Sequence, residues 1–148
     1  MAISLAELGR TKEVLPVLAD LEHKLPGRLR DFVVVARTLL EGHAAASIAA
    51  VARILDSNFR DPEGLFYLAR HLAHVNEVKP ALDLLERVVA SGHFCFPALD
   101  RDPWLDSLRK KPAFTRLLRG AETRHQEAQA AFEKLGGHQV FRTESLTV

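Results

Sequence analysis

Four side chains with metal-ligating chemistry fall within a short span: His71, His74, His93 and Cys95. Zinc needs three or four such ligands converging on one point. On a helix, the separation of three between His71 and His74 places them along one edge, and His93 with Cys95 follows in the next loop. That spacing arises commonly without a metal, and solvent-facing or hydrogen-bonded histidines account for it more simply. Nucleophilic chemistry at Ser91 or Cys95 would need a base, an orienting partner and a strained turn, and the flanking residues signal none of these. Arg109, Lys110, Lys111, Arg116, Arg119 and Arg124 form a basic stretch that could approach phosphate. Between residues 101 and 125 there are seven Lys or Arg against three acids, leaving thirteen bases and sixteen acids elsewhere. Nucleic-acid recognition asks for more charge on one face and for exposed aromatics, whereas Trp104 and Phe114 read as core residues. The stretch reads as a solvated helix surface. The expectation is therefore a protein with no catalytic residues, no metal, no cofactor and no nucleic-acid partner.

The chain has 148 residues, enough for one domain with a real core. It is 47% hydrophobic and 26% charged, which is ordinary for a globular protein, and its net charge of +1 favours no charged partner. A single cysteine excludes an internal disulfide framework and fits a reducing compartment. The N-terminus lacks the basic start and apolar run of a signal peptide, and no uninterrupted apolar segment is long enough to span a bilayer. These features point to a cytoplasmic protein with no membrane partner.

The elements that would position any of these residues are helices. Apolar spacing of three and four dominates, and even Val33-Val34-Val35 sits within a segment, residues 29–40, whose pattern fits a largely buried helix. Breaks fall at Leu8-Gly9-Arg10, Leu25-Pro26-Gly27, Glu41-Gly42-His43, Arg60-Asp61-Pro62, Val75-Asn76-Glu77, Ser91-Gly92 and Asp102-Pro103. Gly or Asn suits the left-handed position past a helix end, and Asp-Pro suits an N-cap followed by the first helical residue.

Sliding the sequence against itself by 34 places Gly42 on Asn76, Phe32 on Phe66, Val34 on Leu68, Ser47 on Ala81, Val51 on Leu85 and Ile54-Leu55 on Val88-Val89. A shift of 33 places Gly9 on Gly42. Ala69 and Ala81, twelve apart across the break at Asn76, read as small residues where two antiparallel helices approach closely. In the preceding unit Val35 and Ser47 take those positions. A helical hairpin cannot bury its apolar faces alone, so such units stack. A two-helix period near 34, with Leu68, Ala69, Leu72, Ala81 and Leu85 at the small and large positions, resembles the tetratricopeptide repeat (TPR) family.

The resemblance implies an all-α, TPR-like antiparallel helix-hairpin solenoid with a right-handed superhelix and a long C-terminal capping helix. Residues 1–137 would form one domain: a half repeat at 1–27, repeats at 28–61 and 62–95, and a divergent cap at 96–137. Residues 138–148 would be a flexible tail. Leu5 to Gly9 reads as the tail of a helix whose earlier turns are missing, as in the C-terminal piece of a longer array. Within the cap, Asp102 would cap a short helix and Pro112 would start a long one. Phe94, Phe96, Leu99, Trp104, Leu105, Leu108, Phe114, Leu117 and Leu118 would cover the exposed end of the stack. The wording Asp-Pro-Trp-Leu-Asp-x-Leu followed by Pro-x-Phe-x-x-Leu-Leu is similar to the last segment of TPR regions in bacterial signalling proteins, where such arrays follow kinase or cyclase domains. No kinase or cyclase motif is present in this chain.

In the family pattern the first helix of each repeat lines a concave, partner-binding surface. Here that gives Leu29, Phe32, Val33, Ala36 and Leu40 in one repeat, and Glu63, Phe66, Tyr67, Arg70 and His74 in the next. The Lys and Asn residues of the carboxylate-clamp subset are absent, so the groove is apolar with an Arg70-His74 rim, suited to a helix or an extended peptide. The function expected is a non-catalytic protein-interaction scaffold, the regulatory or partner-recruiting tail of a larger signalling protein. The alternatives are a homo-oligomerisation module using the same apolar surface and, third, a His-based metal-binding protein.

Overall fold

The structure, a computed structural model, describes residues 5–6 and 8–140. Helices α1 (Thr11–Lys24), α2 (Gly27–Leu40), α3 (Ala44–Asp56), α4 (Pro62–His74) and α5 (Val78–Ala90) follow one another across the breaks read from the sequence. A short α6 (Phe96–Arg101) and a 3-10 helix (Pro103–Leu108) lead into the long α7 (Pro112–Lys134) and a final turn, α8 (Gly137–Val140). No strand occurs among the described residues. α2 packs on α3 and α4 on α5 as adjacent pairs, α1 lies against α2, and the 3-10 helix lies against α4. The fold is all-α and repeat-like. The segment expected to be a flexible tail begins as α8, and residues 141–148 lie outside the described residues.

One backbone device closes both hairpin turns. Gly42 and Asn76 hold left-handed φ values of 80° and 63°. The Gly42 N–H donates to Leu39 O at 3.0 Å and the His43 N–H to Thr38 O at 2.8 Å; the Asn76 N–H donates to Ala73 O at 3.1 Å and the Glu77 N–H to Leu72 O at 2.9 Å. This is the Schellman closure, which needs a residue tolerant of positive φ. The offset that aligns Gly42 with Asn76 thus aligns two copies of one turn. Helix starts also follow their sequence signals. The Asp61 carboxylate accepts from the Gly64 N–H at 2.6 Å, with Pro62 opening α4. Asp102 accepts from the Trp104 N–H at 2.9 Å, with Pro103 opening the 3-10 helix.

All four predicted crossing positions, Val35, Ser47, Ala69 and Ala81, are buried. One apolar cluster runs from Val35 on α2 to Ala121 on α7. The cap completes it, since Leu99, Leu105, Leu108 and Phe114 are fully buried and Trp104 nearly so. Burying each such side chain is worth about 1.5–3 kcal/mol, so the cap is part of the core rather than an appendage. The two hairpins are joined by Phe59 in the α3–α4 loop, whose ring packs edge-on against Phe32 at 5.2 Å. Gly64 leaves room for that ring, which a Cβ there would meet at 2.6 Å. Beyond the core, residues 126–135 are exposed throughout. No helix among the described residues is long and apolar enough to cross a membrane.

Candidate docking surface

On α2, two sides are taken. Asp31 pairs with Arg53 of α3 at 3.2 Å, and the Ser47 hydroxyl of α3 donates to the Val35 carbonyl at 3.1 Å. Towards α1, Arg37 Nε donates to Glu22 Oε2 at 2.7 Å while Nη1 donates to Glu41. Glu22 first and Glu41 second raise the Arg37 pKa. What remains is a stripe at spacings of four, three and four: Leu29, Val33, Ala36 and Leu40. Leu29 is 61% exposed and the other three are half-buried. Phe32, beside the stripe, is half-covered by Phe59.

The corresponding face of α4 is arranged differently. Glu63 is exposed and accepts a hydrogen bond from the Tyr67 hydroxyl at 3.2 Å; Tyr67 is 40% exposed. Partial burial and then Glu63 raise the Tyr67 pKa. Phe66 is buried, with its ring 5.8 Å from Tyr67 and 5.2 Å from His93. Arg70 is not a rim residue: it is buried, its Nε lies 2.7 Å from Asp102 Oδ2, and its Nη2 donates to Asp102 Oδ1 at 3.1 Å. Its guanidinium carbon sits 4.8 Å from the Trp104 ring centre. His74 stacks on the same indole at 4.5 Å. The cap is pinned to α4 here by one more bond, from the Ser107 hydroxyl to Ala73 O at 2.7 Å, and is braced internally by Arg109 Nη2 donating to Asp102 O at 3.0 Å. The chain's own Trp104 therefore covers the part of α4 that the repeat pattern assigns to a partner.

His71, next to Arg70, is buried as well. Its Nδ1–H donates to the Tyr67 carbonyl, its ring meets the Trp104 ring edge-on at 5.2 Å, and its Nε2 has no hydrogen-bond partner. Burial, reinforced by Arg70 and His74, lowers its pKa to about 4 against the pull of the Tyr67 bond. Burial and Arg70 also lower the His74 pKa, and Asp102 opposes them. The imidazoles of His71 and His74 both turn to the Trp104 indole and that of His93 to the Phe66 ring, and no group of three or more His, Cys, Asp or Glu among the described residues could hold a metal ion. Cys95 is exposed, at the start of α6.

The basic stretch is divided between pinning the fold and facing solvent. Arg109 bonds Asp106 and the Asp102 carbonyl, and Arg124 lies 4.3 Å over the Phe94 ring while donating to Val89 O. Lys110, Lys111, Arg116 and Arg119 are exposed. The sequence signal that pointed to Trp104 as a core residue carried nothing about which helix it would meet. Comparison of the chain with protein-family models, with curated proteins and with solved structures found no match.

Proposed function

We propose that the chain is a non-catalytic protein-interaction scaffold that docks a helix or an extended peptide of another protein on the α2 stripe. The observation that carries this reading is the stripe itself: the bonds to α1 and α3 run from Arg37, Asp31 and Val35 on other sides of α2, and Leu29, Val33, Ala36 and Leu40 remain partly in water. Contiguous apolar side chains that remain partly accessible, as these do, mark interaction surfaces. The TPR resemblance supports the same surface, because first helices line the groove in that family, and it supports the partner-recruiting tail of a cytoplasmic signalling protein as the setting. Phe32 and the exposed Tyr67 extend the surface toward α4.

The test is the solution mass by light scattering over a hundredfold concentration range, followed by titration with amphipathic helical peptides. A constant 16.5 kDa, with peptide binding that Leu29→Glu abolishes, is the expected result. A concentration-dependent dimer that Leu29→Glu dissolves would transfer the stripe to self-association and overturn the scaffold reading.

A further inference from the structure

We propose that the contact between α4 and the cap is an acid-released latch, in which protonation of His71 and His74 expels Trp104 and uncovers the α4 face. Three basic side chains on two turns of one helix, Arg70, His71 and His74, surround a single indole. Among the described residues, the carboxylate that bonds at this contact is Asp102, which already engages Arg70 and the Trp104 N–H. His71 is 5% exposed, and its Nδ1–H is committed to Tyr67 O. A second proton on Nε2 would create a buried donor with no acceptor and a buried charge beside Arg70. Burial of such a charge is costly enough that the site either stays neutral or opens to water.

The surrounding charges among the described residues are committed elsewhere. On α4 itself, Arg70 and His74 act on His71, and the Glu63 carboxylate is bonded to Tyr67. From the cap come Asp102, which acts on His74, and Asp106, paired with Arg109 at 2.7 Å. On α5, Lys79 and Asp83 pair with each other at 2.6 Å, and Glu86 and Arg87 are exposed. On α2, Arg37 is held by Glu22 and Glu41, and Asp31 pairs with Arg53.

The α4–α5 crossing gives no reason to open with acid, because its buried residues there, Ala69, Ala81, Leu84 and Leu85, carry no titratable group. The cap contact is the element that yields. Its 3-10 helix is six residues long and is tied to α4 by Asp102, Trp104 and Ser107. With the indole displaced, Arg70 and His74 reach water as charged groups. The uncovered face would extend the docking surface over the second hairpin, a consequence that rests on the scaffold reading; the latch itself does not.

Trp104 is the only tryptophan, so its emission reports this contact alone. The full chain is titrated from pH 7.5 to 3 with tryptophan emission and far-ultraviolet circular dichroism recorded together. The expected result is a red shift of the emission at a pH where helicity is retained. In His71→Asn, which keeps a donor near the Nδ1 position and cannot charge, the shift disappears. Three results overturn the latch: no shift in the parent chain, a shift with unchanged midpoint in the variant, or emission and helicity lost together. Should the variant fail to fold at pH 7.5, the His71 ring is followed by NMR in the parent chain. A His71 midpoint that coincides with the emission midpoint supports the latch, and a different one overturns it.

Discussion

The two hairpins cross at equivalent positions and solve the crossing with different chemistry. In α2–α3 the facing residues are Val35 and Ser47, and the serine hydroxyl donates into the Val35 carbonyl. In α4–α5 they are Ala69 and Ala81, both fully buried and without a polar atom in the side chain. The outer faces differ in the same way. α2 keeps an apolar stripe partly in water, while α4 is closed by Trp104 above a buried Arg70–Asp102 pair. A shared period therefore fixes where helices meet and turn, and leaves open what each face does. The first hairpin leaves an apolar stripe partly in water, and the second is built around the chain's own cap.

The largest effect expected is at the closed face. Asp102→Ala strips the partner from a buried guanidinium and removes the N-cap of the 3-10 helix, and truncating one side of a buried ion pair costs about 3–5 kcal/mol. Asp31→Ala, at the more exposed pair with Arg53 on the first hairpin, should cost at most about 1 kcal/mol. Urea unfolding of both variants measures the ratio. Equal losses would mean that the two faces are not energetically distinct.

Acid should separate the hairpins next. Unfolded, His71 binds a proton near 6.5; folded, it does so only near 4, so the unfolded state binds more protons between those values. The stability that the neutral ring allows is fully present above pH 6.5 and is lost as the pH falls toward 4. The loss amounts to about 3 kcal/mol at most, the release of the cap setting the ceiling. Denaturant midpoints measured across this window should fall in the parent chain and flatten in His71→Asn.

Much of the fold is legible in the sequence, and the reason is local. Gly42, Asn76, Asp61-Pro62 and Asp102-Pro103 each act on the backbone within a few residues of themselves, so type and position suffice to place helix ends. The crossing residues are legible because a repeat compares the chain with itself. Arg70 and His71 are not legible in this way, since their burial depends on Trp104, which is 34 and 33 residues further on in a segment outside the period. A pattern that assigns Arg70 to a groove rim carries no information about a cap folding back over it. The divided roles of Arg109 and Arg124 are hidden for the same reason.

The crossings themselves offer a finer test. Ala81→Leu forces a branched side chain into a fully buried crossing and should cost about 1–3 kcal/mol. Ser47→Ala removes one hydrogen bond and leaves the Val35 carbonyl to its helix partner, which should cost about 1 kcal/mol. The reciprocal change, Ala81→Ser, asks whether the hairpins share backbone geometry: if they do, the new hydroxyl reaches the Ala69 carbonyl, and thermal unfolding should show a smaller loss than for Ala81→Leu.

The smallest effect on stability belongs to the stripe. Leu29 is 61% exposed, so Leu29→Glu removes little buried area and should change stability by less than about 0.5 kcal/mol. A charge at the same position would nevertheless face any apolar partner across the stripe, where an unpaired carboxylate is costly to desolvate. The pairing of an unchanged unfolding midpoint with a lost interaction is what distinguishes a docking face from a core face. Ala81→Leu should show the reverse: reduced stability, with binding retained wherever the chain remains folded. If Leu29→Glu destabilises the chain by as much as Ala81→Leu, the stripe is covered within the protein itself, and the contrast between an open first hairpin and a closed second one fails.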